Sequence, residues 1–220
     1  MVDAMNGERA LRMNDAIIIG DLDAPEYVEV LDSELVCGFA LNAPRVSADK
    51  WRQVKAPLRK CLEELTSHPV SEKKEGKAIF FNETELTGKP FRPNGRDGKS
   101  EPYAHRSKRH VTSVTALALD IDGTDKIERV TQRLVELGLF GIAYTTDSHS
   151  EKASPDGDYF RVIIPLEKPF RVSEHGGNVN VAAKRWEAKY LGFCEQVLGC
   201  TDVDASGAKF AQMMHTPRRP

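Results

Sequence analysis

Hydrophobic and polar positions follow a regular pattern in the second half of the chain. Apolar residues recur at strand spacing in some stretches and at helical spacing in others. Gly138 and Gly199 follow the two helical stretches, which is typical of helix C-termini. The order strand, helix, strand, strand, helix, strand indicates a split ferredoxin-like or RNA-recognition-like module. The predicted elements are strands at 111–122, 140–146, 159–166 and 210–214, and helices at 126–137 and 182–198.

The first half of the chain has a less regular pattern. Short apolar runs predict strands at 16–20, 27–31, 35–41 and 77–82. A helix at 49–66 is predicted because Trp51, Val54, Leu58, Leu62 and Leu65 recur at helical spacing, with Ser47 as its N-cap. Residues 84–110 are polar and rich in glycine, proline and charge, and this composition predicts a long loop.

Composition narrows the class of protein. A chain of 220 residues that is 40% hydrophobic can bury one core, or one core with a small additional module. A net charge of -2 gives no molecule-wide attraction to nucleic acid, so any basic surface must be local. The four cysteines form no CxxC pair, which argues against a zinc site or a disulfide scaffold. With no leader sequence and no apolar stretch of membrane-spanning length, we expect a cytoplasmic protein without a membrane partner.

Asp120 and Asp122 are the first candidate functional residues, because they end the apolar run that begins at Leu117. Alternate side chains of a strand share a face, so the two carboxylates would lie roughly 6.5–7 Å apart along it. Two ionised carboxylates this close repel each other, and a positive charge is expected between them. Mg²⁺ or Mn²⁺ is the natural candidate, since hard cations prefer oxygen ligands.

Further chemically capable residues follow the same strand-helix-strand order. Ser148 and His149 follow the second strand, Arg161 lies on the third, and Asp204 follows the second helix. Strand ends are where such folds collect ligands, so these side chains are expected at one sheet face or its rim. Taken singly, each has an ordinary alternative: a surface histidine, an arginine paired with Glu167, and an aspartate that caps a turn.

The predicted loop at 84–110 is locally basic just before the Asp120 strand. It is either a solvated connector or a surface that contacts nucleic acid, and its composition alone leaves both open. Its basic residues are Arg96, Lys99, Arg106, Lys108 and Arg109, against Asp97 and Glu101.

Three short motifs in this half of the chain resemble those of the archaeo-eukaryotic primases, specifically the primase-polymerases of phages and plasmids. An apolar run with Asp-x-Asp lies at 117–122, a small-x-His motif at 147–149, and a hydrophobic residue followed by Asp at 203–204. The strand at 159–166 is similar to the arginine-bearing strand of the family. The resemblance covers 111–217. Asp147 departs from the Gly or Ser of the family pattern, which would make a nucleotide pocket more acidic.

The resemblance implies a fold and a domain organisation. The fold would be α/β (α+β), with an N-terminal α/β module at 1–110 packed on an RNA-recognition-like catalytic module at 111–220. The two modules together would form a single catalytic core. The chain would then be a fragment of a longer replication protein that continues into a helicase or another replication module.

The resemblance also implies an activity and its residues. The protein would be a DNA primase-polymerase, a nucleotidyltransferase that makes or extends primers on single-stranded DNA from dNTPs or NTPs. Asp120, Asp122 and Asp204 would bind two Mg²⁺ or Mn²⁺ ions. Ser148, His149 and Arg161 would bind the nucleotide. Template and primer would lie against Arg106, Lys108 and Arg109.

Two other functions are compatible with parts of the sequence. Residues 120–124 also resemble the Asp-x-Asp-Gly-Thr signature of haloacid-dehalogenase-like phosphatases, in which Asp120 would be the nucleophile. A non-catalytic module that binds single-stranded nucleic acid would instead need exposed aromatic residues on its sheet. The expected face carries Ala116, Ala118, Asp120 and Asp122, which are small or acidic and suit metal and nucleotide better than stacked bases.

Overall fold

The structure is a computed structural model of the chain. It describes residues 10–13, 16–20, 34–40, 52–66, 78–91, 101–104, 107–123, 125–146, 157–200, 203–210, 212 and 214–215. The predicted strand at 27–31 lies outside the described residues.

The described residues form a mixed α/β fold with antiparallel sheets and three α-helices. The strands are β1 (Ala10–Met13), β2 (Ala16–Ile19), β3 (Glu34–Ala40), β4 (Arg52–Pro57), β5 (Ala78–Phe80), β6 (Asn82–Thr84), β7 (Leu86–Phe91), β8 (Glu101–Ala104), β9 (Val111–Asp122), β10 (Gly141–Thr145), β11 (Tyr159–Arg171) and β12 (Met214–His215). The helices are α1 (Leu58–Thr66), α2 (Ile127–Glu136) and α3 (Val179–Gly192), and a π-helical segment at Phe193–Val197 continues α3. None of the helices in the described part of the chain is long and apolar enough to cross a membrane.

The main sheet has six strands in the order β1-β2-β10-β11-β9-β6. All neighbouring strands in it are antiparallel. Since β9 and β10 are both antiparallel to β11, they run parallel to each other, which confirms the strand-helix-strand order predicted from the sequence. Strands β1, β2 and β6 come from the first half of the chain and extend the same sheet on both sides.

Each face of the main sheet covers a separate hydrophobic core. One core, which we call the α2/α3 core, contains Leu119 and Ile121 of β9 together with side chains of α2 and α3. The other, which we call the α1 core, contains Ala116 of β9, Tyr144 of β10 and side chains of α1 and β5. Alternating residues of β9 therefore enter opposite cores, and Asp120 lies in the alternation that faces the α1 core.

A second sheet has the order β12-β5-β3-β4. Its edge strand β4 corrects the predicted helix at 49–66, because of the described residues 52–66 only those of α1 are helical. Pro57 explains the difference: proline removes a backbone donor and biases the preceding residue toward extended conformations. Strand β4 pairs with β3 over six positions. These pairings satisfy the backbone hydrogen-bonding groups of a stretch whose residue spacing predicted a helix.

The loop predicted at 84–110 is wrong in part, because β7 and β8 pair there as a two-stranded sheet. These strands lack the alternation of a half-buried strand, so the sequence pattern did not reveal them. A short 3₁₀ turn at Lys108–His110 leads directly into β9.

The final strand predicted at 210–214 is also wrong in extent. Among the described residues of this stretch, Met214 and His215 form a strand, β12, which pairs with β5 in the second sheet. A 3₁₀ turn at Ala205–Ala208 diverts the chain from the main sheet before that point. In the described part of the chain after α3, Val203 forms an isolated bridge with Ile121 of β9.

Candidate functional site

Asp120 lies near the end of β9, directly opposite Arg161 of β11. Arg161 Nε donates to Asp120 Oδ1 at 3.1 Å, and a terminal guanidinium nitrogen donates to Oδ2 at 3.1 Å. Asp120 is only 8% exposed. Two parallel charge-assisted hydrogen bonds fix the orientation of this buried carboxylate. Loss of either partner would leave a buried charge without its counter-ion.

Tyr144 of β10 lies opposite Arg161 on its other side and is almost completely buried. Burial raises the pKa of Tyr144 to about 12, against the opposing effect of the Arg161 charge. The phenol is therefore neutral at physiological pH. Burial alone would lower the pKa of Arg161, but Tyr144 and Asp120 beside it outweigh burial and raise that pKa. Tyr144, Arg161 and Asp120 thus form a buried row across three adjacent strands.

Tyr144 was not among the residues predicted from the sequence. Its signal was weak: a tyrosine in a strand that is otherwise apolar or small, at a register that only the pairing of β10 with β11 reveals. Arg161 was predicted, but its partner is Asp120 rather than Glu167.

Asp204 is brought to Asp120 by the chain that follows the π-helical segment. Val203 bridges Ile121, and the backbone N–H of Asp204 donates to the carbonyl oxygen of Asp120 at 3.2 Å. Two of the predicted metal ligands, far apart in sequence, therefore meet at the end of β9.

The carboxylate of Asp204 caps the 3₁₀ turn that follows it. It accepts from the backbone N–H of Ser206 at 2.8 Å and from the Ser206 hydroxyl. The Ser206 hydroxyl, then its backbone N–H, and more weakly the charge of Lys209 lower the pKa of Asp204, so the carboxylate is ionised at neutral pH. The capping role weighed from the sequence is therefore present. It leaves lone pairs on both oxygens, because a carboxylate has about four acceptor sites.

Tyr190 and Gly207 hold this turn against β9. The Tyr190 hydroxyl donates to the carbonyl oxygen of Ala118 at 3.2 Å. A Cβ on residue 207 would overlap the Tyr190 hydroxyl and lie 3.2 Å from that same carbonyl oxygen. Glycine at 207 is what lets the turn approach β9 closely enough for Asp204 to reach Asp120.

Asp122 ends β9 and is exposed. Strand alternation places it on the same face as Asp120, as predicted. The turn that follows begins with Gly123 at φ +82°, a conformation that favours glycine.

Asp158, another residue that the sequence did not single out, anchors this turn. Its backbone carbonyl accepts from Gly123 N–H at 2.9 Å, and its side chain accepts from Ile127 N–H at 2.9 Å. Lys126 lies 3.3 Å from the same carboxylate. Asp158 therefore caps α2 from the start of β11 and ties the two strands together beside Asp122.

The remaining predicted residues fall into two groups. Ser148, His149 and Arg106 lie outside the described residues. Lys108 and Arg109 are exposed in the 3₁₀ turn before β9. Nine strand positions separate the start of β9 from Asp120, so at about 3.3 Å per residue this basic turn lies roughly 30 Å from Asp120. The structure does not bring Lys108 and Arg109 to the carboxylates.

The donor chemistry of the carboxylates fits Mg²⁺ or Mn²⁺, because Asp120, Asp122 and Asp204 offer only hard oxygen ligands. The described residues contain no preassembled group of three acidic, histidine or cysteine side chains at metal-binding distance. In the observed arrangement both oxygens of Asp120 are bonded to Arg161. The backbones of Asp120 and Asp204 are in contact, while their carboxylates would have to rotate to bind a common ion.

Comparisons of the chain with protein-family models, with curated proteins and with solved structures find no match.

Proposed function

We propose that the protein is a DNA primase-polymerase that makes or extends primers on single-stranded DNA by template-directed nucleotidyl transfer. One observation carries the proposal: Asp204 is hydrogen-bonded through its backbone to Asp120 at the end of β9, and Arg161 faces the same carboxylate. Carboxylates from separate parts of the chain, with an arginine beside them, form the set that phosphoryl transfer with divalent ions requires.

Asp120, Asp122 and Asp204 would hold the divalent ions. Bound Mg²⁺ or Mn²⁺ would supply the positive charge that acidifies the primer 3′-hydroxyl and stabilises the departing pyrophosphate. Asp204 is suited to this because its lowered pKa keeps it ionised, and the bonds from Ser206 limit its rotation. The protein's own part is to position these carboxylates at one strand end.

Arg161 would bind the triphosphate of the incoming nucleotide, together with Ser148 and His149. A guanidinium can form two parallel bonds to a phosphate as it does to a carboxylate. Arg161 is held at a defined place by its strand and by Tyr144, so little side-chain entropy is lost when it binds.

Lys108 and Arg109, with Arg106, would contact the nucleic-acid backbone away from the reacting atoms. The roughly 30 Å along β9 is comparable to about nine base pairs of duplex at 3.4 Å each. The basic turn would therefore meet the template or the primer-template duplex upstream of the primer end. Such phosphate contacts are independent of base sequence and weaken with salt.

The pairing of Asp120 with Arg161 bears equally on a phosphatase and on the polymerase, because a nucleophilic carboxylate and a metal-binding one would both have to leave the guanidinium. One observation weighs against the other alternative. A base-stacking module needs an open sheet face, but Ala116 on the corresponding face of β9 is 2% exposed within the α1 core.

The test is an extension assay with primed and unprimed single-stranded DNA, labelled nucleotides and Mg²⁺ or Mn²⁺. We expect incorporation by the wild type and a loss of at least about a hundredfold in Asp120→Asn and in Asp204→Asn. Asn at 204 keeps an oxygen that can accept from Ser206, so it removes the charge with little risk to the turn. Glu136→Gln, on the exposed face of α2, is the matched control and should extend normally.

The proposal fails if folded wild type incorporates no nucleotide, or if Asp120→Asn extends as well as wild type. Release of phosphate from a small phosphoester without nucleotide incorporation would support the phosphatase instead.

A further inference from the structure

The ion pair between Asp120 and Arg161 uses the atoms that a metal ligand would need. Both carboxylate oxygens accept from one guanidinium at 3.1 Å. The side chains are only 12% and 17% exposed, for Asp120 and Arg161 respectively, so water replaces little of this contact if it breaks. A change of partner at Asp120 must therefore supply a new positive charge at the same time.

Among the described residues, Arg161 is the positive group that is hydrogen-bonded to Asp120. Tyr144 on the neighbouring strand is neutral at physiological pH. Lys209 acts on Asp204. A divalent ion at Asp120 would meet the guanidinium at short range, and the two positive charges would repel each other strongly in a site with little water.

We infer that Arg161 and a divalent cation compete for the Asp120 carboxylate, so that metal binding releases Arg161 toward the substrate phosphates. The inference rests on the proposed function and concerns the regulation of that same site. Because coupling between two ligands is reciprocal, a nucleoside triphosphate that binds Arg161 also raises the affinity of Asp120 for the metal. The site would then bind metal and nucleotide together, and would bind metal weakly without nucleotide.

The first experiment measures Mn²⁺ binding to the full chain without nucleotide or DNA, by the electron paramagnetic resonance signal of free Mn²⁺. We expect Arg161→Gln to bind Mn²⁺ at least about tenfold more tightly than wild type, within the usual range of coupling between sites. The double variant Asp120→Asn/Arg161→Gln removes both charges, leaves no buried unpaired ion, and should lose the tight binding. Adding a deoxynucleoside triphosphate should strengthen Mn²⁺ binding in wild type more than in Arg161→Gln.

The second experiment measures the wild-type chain and needs a variant only to assign one signal. The Nε–H nuclear magnetic resonance signal of Arg161, assigned by its loss in Arg161→Lys, is followed during Mg²⁺ titration. We expect it to move away from its hydrogen-bonded position as Mg²⁺ binds.

Equal Mn²⁺ affinity in wild type and folded Arg161→Gln, or an Arg161 signal unchanged at saturating Mg²⁺, overturns the competition. In that case extension that depends on Asp120 would still leave the proposed function standing. A chain that shows the competition but never incorporates nucleotide would reject the polymerase and retain the coupled site.

Discussion

Asp120 and Arg161 satisfy each other's charge where little of either side chain meets water. The sequence predicted a positive charge between Asp120 and Asp122, and the structure pairs Asp120 with Arg161 of the neighbouring strand. What the sequence lacked was the register of β11 against β9, because that register depends on pairings made after the chain folds. The sequence could therefore single out Asp120 and Arg161 as candidate functional residues, but it could not show that they pair with each other.

The bond network of Asp204 gives a prediction about pH at the residue scale. The pKa of Asp204 is lowered by Ser206, so Ser206→Ala should raise it toward the ordinary range of aspartate. Since the folded-state pKa lies below the unfolded one, this carboxylate contributes stability above the ordinary aspartate pKa, and the contribution is lost as pH falls through the folded value. The side-chain carbon resonance of Asp204, followed during an acid titration, measures the change. An identical titration in Ser206→Ala would contradict the assigned cause.

Gly207, in the 3₁₀ turn beside β9, and Gly192, at the end of α3, give a matched pair. Gly207→Ala should destabilise the protein by about 1–3 kcal/mol, because the new methyl overlaps the Tyr190 hydroxyl. Gly192→Ala places its methyl in open space in a helical conformation, and should stabilise it by about 0.5–1 kcal/mol. Urea denaturation of both variants measures these shifts. In the Gly207→Ala protein, the further change Tyr190→Phe should restore part of the lost stability, because it removes the overlapping hydroxyl. If Gly207→Ala loses as much stability with phenylalanine as with tyrosine at 190, the contact at 207 is not the cause.

At the scale of elements, the clearest predictions came from the clearest periodicity. Strands β9 and β10 and helix α2 lie within one residue of their predicted bounds. The predicted helix before Thr66 failed in its first half because Pro57 and sheet pairing overrode local spacing. In and just after the π-helical segment that continues α3, Cys194 and Leu198 are buried, while Phe193 and Val197 are only partly buried. The wider π-helical turn changes which side chains face the core.

Helix α2 depends on a cap from another element, which gives a third prediction. Lys126 at its N-terminus provides no side-chain cap, and the Asp158 carboxylate accepts from Ile127 N–H instead. Asp158→Ala should therefore lower the free energy of unfolding by about 1–2 kcal/mol. Asp158→Asn keeps an acceptor oxygen and should cost less. Chemical denaturation measures both, and if the alanine variant is as stable as wild type, the helix does not need this contact.

At the scale of the whole molecule, the main sheet separates two cores and buries a tyrosine in each. Tyr144 lies in the α1 core and Tyr190 in the α2/α3 core. Burial raises the pKa of both hydroxyls above the ordinary value for tyrosine. A phenolate is less stable in either core than in water, so ionisation of these side chains favours unfolding of the cores.

This coupling predicts alkaline behaviour. The pKa of Tyr144 rises from 10.0 to about 12 on folding, so its contribution to stability is complete below pH 10 and is lost as pH rises from 10 to about 12. We expect the free energy of unfolding to fall across that interval, and to fall less steeply in Tyr144→Phe. Denaturation at a series of alkaline pH values measures the slope. Identical slopes in the two proteins would show that Tyr144 does not carry this dependence.

The bridge between Val203 and Ile121 has a consequence for biosynthesis. The ribosome makes Asp120 and Arg161 well before Asp204, and structure forms from the N-terminal side during synthesis. A nascent chain can thus close the β9-β11 pair, with its carboxylate and guanidinium already neutralising each other, while Asp204 is still to be made. The acidic cluster appears only when Val203 docks. A translation product that ends before Asp204 would carry the paired strands without this third candidate carboxylate.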